Sequence, residues 1–94
     1  MSNYTTLCIP KVNNEFSTNF IFKKLCLLKI GHIQKIIEIP LKNNHNCKRI
    51  IFKVSWNNET KTQFFKNKID IGEPIFMVYD NPWFWKILKA TSSS

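Results

Sequence analysis

The sequence predicts an α+β domain of βαββαβ order, a two-layer sandwich in which a four-stranded antiparallel sheet carries two helices on one face. Three observations predict it. Apolar residues alternate with period two in four segments, and between them fall two stretches with apolar residues at i, i+4 spacing. The chain's only two glycines, Gly31 and Gly72, follow those two stretches, where a helix has to stop.

The segment Thr5 to Val12 (TTLCIPKV) sets Leu7 and Ile9 on one face and Thr6 and Cys8 on the other, and ends at Asn13-Asn14. Pro10 lacks an N–H and therefore belongs near the end of that strand or at an unpaired position. Ser17 or Thr18 is a suitable N-cap for a helix from about Asn19 to Ile30, on which Ile21, Leu25 and Leu28 share a face. His32 to Leu41 (HIQKIIEIPL) is rich in β-branched residues and forms the second strand. Ile33, Ile37 and Ile39 have one parity and Ile36 the other, so a bulge fits there. After a polar loop at Asn43 to Asn46, Arg49 to Trp56 alternates cleanly, with Ile50, Phe52, Val54 and Trp56 assigned to the core. Asn58 or Thr60 can cap a shorter helix carrying Phe65 and Ile69. Glu73 to Tyr79 is the fourth strand, ended by the turn residues Asp80-Asn81-Pro82.

A chain of 94 residues is one domain, taken here as residues 1–90 with a frayed, low-complexity tail at 91–94. Hydrophobic residues make up 44% and aromatics 14%, enough apolar material for a core. Fourteen basic residues against six acidic ones leave a net charge of +8, which favours an anionic partner. Part of that excess has a plainer source, since abundant Lys, Asn, Ile and Phe with a single arginine is the amino-acid usage of an AT-rich genome. Cys8, Cys26 and Cys47 are an odd set without a CxxC spacing, and are expected to be free thiols in a reducing compartment. The chain shows neither a signal-peptide pattern nor an apolar run of membrane-spanning length, so an intracellular protein without a membrane partner is expected.

This order of elements resembles the RNA recognition motif, a ferredoxin-like fold, over roughly Thr5 to Leu88. Leu7-Cys8-Ile9-Pro10-Lys11-Val12 stands in the place of the family's first-strand motif, and Lys48-Arg49-Ile50-Ile51-Phe52-Lys53-Val54 in that of its third-strand motif. Cys8, Arg49 and Ile51 then occupy positions where the family presents stacking aromatics, and the motif's glycine is absent. The pairing of IPKV with the later YDNPWFWK is similar to small RNA-recognition-motif-like proteins of giant nucleocytoplasmic large DNA viruses. That resemblance implies a viral protein in the host cytoplasm (viral factory), the nucleus or the virion. It also implies RNA or single-stranded nucleic acid as partner, with Cys8, Lys11, Lys35, Lys48, Arg49, Ile51 and Lys53 as the candidate contacts.

The run Pro82-Trp83-Phe84-Trp85-Lys86 is the most distinctive chemistry. In an extended segment Trp83 and Trp85 share one side, and Phe84 and Lys86 the other. Trp83, Trp85 and Lys86 are accordingly expected either to anchor a base or a protein partner or to pack back onto the domain as a tail over the sheet. His45 and Cys47 fall short of a metal-ligand set, and no cofactor is expected. No phosphate-binding glycine loop or nucleophile motif is present, so the chain reads as a binding module and not an enzyme. Weak, charge-driven nucleic-acid binding is the leading expectation. A protein-interaction or structural viral module is the alternative.

Overall fold

The computed structural model describes residues 4–90 as β1 (Tyr4–Asn13), α1 (Thr18–Cys26), β2 (Gly31–Leu41), β3 (Asn44–Trp56), α2 (Thr60–Asp70), β4 (Ile75–Asp80) and β5 (Trp83–Lys89). The expected frayed tail at 91–94 lies outside the described residues. The α+β class holds, but the four-stranded ferredoxin-like sheet does not. The sheet has five strands in the order β2-β3-β1-β5-β4, antiparallel throughout.

The difference lies after α2. β1 and β2 are both antiparallel to β3, so β1-α1-β2 joins parallel strands across β3, as expected. β4, however, runs antiparallel to β3, because it pairs with β5 and β5 pairs with β1. It therefore takes the outer place, and β5 fills the slot beside β1 expected for β4. The supposed tail is this inner strand. Its alternating pattern is a strand pattern, and Asn81-Pro82 turns the chain into a hairpin with β4.

Spacing located the centre of the core. Leu7, Ile9, Leu25, Ile50, Phe52 and Val54 are buried in one cluster, and Leu28 packs half-buried against it. Val12, Ile21, Ile30, Ile33, Ile69, Ile75, Met77, Trp85 and Ile87 complete that cluster, each such large side chain contributing about 1.5–3 kcal/mol by leaving water. Trp85 sits beneath an aromatic lid. Tyr79 stacks on it at 4.3 Å between ring centroids, Phe16 meets it edge-on at 5.9 Å, and Phe20 stacks on Phe16 at 4.9 Å.

Local irregularities follow the residues that require them. Pro10 falls in the register shift of β1 between Ile9 and Val12, where no ladder bond asks for its missing N–H. In β2 the shift between Gln34 and Ile36 places Lys35 at φ 44°. That bulge turns Ile33 and Ile36 toward the helices and leaves Ile37 and Ile39 on the opposite face, which resolves the conflicting isoleucine parities. Ser17 caps α1, its Oγ accepting from the Phe20 N–H at 3.1 Å. The helix ends earlier than expected, at Cys26, and Lys29 at φ 54° turns the chain toward β2.

Gly31 is therefore not a helix stop but the first residue of β2, paired with Trp56. A Cβ there would collide with the Ser55 carbonyl oxygen, at a φ of +155°. Both the clash with backbone and the unfavourable φ oppose any side chain. Gly31→Ala is expected to cost at least about 2–3 kcal/mol. Gly72→Ala, at φ +89° with open space around it, should cost only about 1 kcal/mol. Urea denaturation of the two variants checks the ranking, and equal losses would contradict it.

Candidate nucleic-acid interface

With both helices on one side, the other side of the sheet is bare among the described residues. The strand ladder places specific side chains on it. Ile37, Ile51, Cys8 and Leu88 stand opposite one another in register and make an apolar row across β2, β3, β1 and β5. Arg49 lies opposite Ile39, and Lys53 lies opposite Thr6 and Gln34. Toward the far end Lys86 faces Phe76, and Phe84 faces Val78. Phe76 and Phe84 are exposed and meet edge-to-face at 5.3 Å. At the other end the Lys53 ammonium sits 4.8 Å above the Tyr4 ring.

The charges on this face are of one sign. β1, β3 and β5, the three inner strands, contain no Asp or Glu at all. Of the two strand carboxylates, Glu38 is held by Lys48, whose buried side chain faces the helices, and Asp80 stands at the β4–β5 turn. Phosphate groups laid along Arg49, Lys53 and Lys86 would meet no fixed negative charge. Burial pushes the Cys8 thiol above its ordinary value, with nearby Arg49 partly opposing that shift, so Cys8 is a neutral apolar contact and not a reactive thiolate.

The sequence-derived candidates separate in space. Cys8, Arg49, Ile51, Lys53 and Lys86 lie together on the open face. Lys11 is exposed in the irregular stretch of β1. Lys35 stands in the β2 bulge, lining a shallow cavity with Thr18, Asn19, Phe22 and Ile36 on the helix side. Lys48 is buried and spent within the fold. Its Nζ donates to the Phe16 carbonyl at 2.6 Å and to Glu38 Oε2 at 2.8 Å, tying the α1 approach to the β2–β3 ribbon. Of the two tryptophans expected to pack on the domain, Trp85 does so inside the core, whereas Trp83 is 63% exposed at the hairpin end. Neither covers the sheet. Phe76, Phe84 and Tyr4 were the missed members. Parity already set Phe84 and Lys86 apart from Trp85; only the pairing of β4 with β5 brings Phe76 beside them.

Thr18 Oγ1 also donates to Glu38, and the hydrogen bonds from Lys48 and Thr18 hold the Glu38 carboxyl below its usual range. A depressed folded-state pKa contributes stability above the unfolded value, which is lost as pH falls through the carboxylate range. Stability is therefore expected to drop between about pH 5 and pH 3. Glu38→Gln should make that drop smaller. Thermal melts at both pH values read it, and an unchanged drop would remove Glu38 as a contributor.

Comparison with protein-family models, curated proteins and solved structures returned no match to this chain.

Proposed function

We propose that the open sheet face binds single-stranded nucleic acid, RNA or single-stranded DNA, in the manner implied by the likeness to RNA-recognition-motif proteins of giant DNA viruses. The viral setting, in factory, nucleus or virion, is part of the same proposal. One observation carries it: a sheet face free of carboxylates on its inner strands, bearing Arg49, Lys53 and Lys86 together with the exposed Phe76–Phe84 pair. Cations attract the backbone and aromatic faces accept bases without regard to sequence, which is the chemistry of single-strand binding. The aromatics lie on β4 and β5 and not on β1 and β3, so the stacking site is displaced toward one end of the sheet. The proposed role is binding alone.

Fluorescence titration of a labelled single-stranded oligonucleotide tests the proposal. Binding should be detectable at low salt, and Phe76→Ala with Phe84→Ala should weaken it about tenfold or more, the worth of one stacked base. No binding at low salt would remove the proposal. A protein-docking role has its own support in the Ile37–Ile51–Cys8–Leu88 row, because a contiguous apolar strip marks protein contacts. Such docking would be nearly insensitive to salt, which separates the two readings.

A further inference from the structure

The sheet has two edges, β2 and β4, and they are unlike. β2 carries the features that keep other strands from pairing. It has a bulge at Lys35, two charged residues in Lys35 and Glu38, and Pro40 without an N–H. β4, reading Ile75-Phe76-Met77-Val78-Tyr79-Asp80, has no lysine, proline or glycine, and its register against β5 is regular from Ile75 to Val78. Beside it, against α2, lies a groove of about 330 Å³ lined by Phe64, Phe65, Lys68, Ile75 and Phe76. Phe64 is 71% exposed on its helix, and Phe76 is 57% exposed on its strand.

We propose that the β4 edge is a homodimer interface, in which β4 pairs antiparallel with β4 of a second copy about a two-fold axis. An isologous interface needs a surface complementary to itself, and this one is. Antiparallel pairing brings the Asp80 end of one β4 alongside the Ile75 end of the other, where Lys68 stands. Neither Lys68 nor Asp80 has an ion-pair partner among the described residues. The two-fold axis thus creates two opposite-charge contacts at the one seam where two chains of +8 would otherwise only repel.

Pairing along the regular stretch Ile75–Val78 adds backbone hydrogen bonds between the copies and takes the edge-facing parts of Phe64, Phe76 and Val78 out of water. The seam is short for a stable interface, so the dimer is a weak one that forms as concentration rises. The inference stands apart from the nucleic-acid reading. If both hold, the paired edges join two open faces into one ten-stranded sheet with its Phe76–Phe84 pairs adjacent, and a longer strand gains from both sites at once.

Sedimentation velocity of the full chain across low-micromolar to millimolar concentration tests the dimer. The expected result is a rise to twice the chain mass. Val78→Lys, which sets a charge on the edge strand, should leave a monomer at concentrations where the native chain is paired. Lys68→Asp and Asp80→Lys should each weaken pairing about tenfold, and the double swap should restore it, an outcome that a merely misfolded variant cannot give. A monomer at every concentration would assign the edge to some other partner and overturn the proposal. So would a dimer indifferent to Val78→Lys.

Discussion

Ending the chain after Asn81, so that β5 is lost, is expected to abolish cooperative folding and not merely to lower the melting temperature. β5 is flanked by β1 and β4, and its removal leaves one side of each without a ladder. It also takes Trp85 and Ile87, which are 3% and 2% exposed, out of the core. Large-to-small changes at such sites cost about 3–5 kcal/mol for the tryptophan and about 2–5 kcal/mol for the isoleucine. A domain of this size has roughly 5–15 kcal/mol in total, and the severed strand bonds add to the loss. Phe16, Phe20 and Tyr79 lose the ring they close over as well. A segment lying over the sheet would have cost only a few kcal/mol; an inner strand costs the fold. Near-UV circular dichroism and thermal melts of the truncated chain read the effect. A cooperative melt close to that of the full chain would show that β5 is not structural.

Reversing the charge at Arg49, Lys53 and Lys86 together is expected to reduce affinity for single-stranded nucleic acid a hundredfold or more. Each cation that neutralises a phosphate releases a counterion, and for single strands the logarithm of affinity falls by about 0.7 per contact for each decade of salt. Three contacts predict roughly a twentyfold loss between 50 and 200 mM salt for the native chain. The triple variant should lose both the affinity and that salt dependence. An equal change of net charge made on the helices, at Lys23, Lys24 and Lys61, should cost far less, because those lysines lie on the opposite layer. If both triple variants weaken binding equally, net charge and not the sheet face governs association.

Much of this architecture was legible in the chain. Alternation in Leu7-Cys8-Ile9 and in Ile50-Ile51-Phe52-Lys53-Val54 assigned the buried and displayed faces of β1 and β3, because a strand offers only two sides and the apolar set must take one. The same rule separated Trp85 from Phe84 and Lys86. The places of β4 and β5 in the sheet were not legible. Nothing local distinguishes an extended tail from an inserted strand, and β5 finds its place through long-range pairing with Leu7 and Cys8. The four-stranded expectation failed there, and the same omission hid Phe76 and Phe84 as neighbours. Lys48 was misplaced for a different reason. A lysine in a strand is ordinarily solvated, and only the approach of Glu38 and the Phe16 carbonyl lets this one be buried.

Amide chemical-shift mapping of the isotope-labelled full chain with a short single-stranded RNA shows whether the ligand lies on the open side of the sheet. Perturbations are expected to grow together at Cys8, Arg49, Ile51, Lys53, Phe76, Phe84 and Lys86 and to fade as salt is raised. Shifts gathered instead on α1 and α2, or none at all at low salt, would contradict that placement.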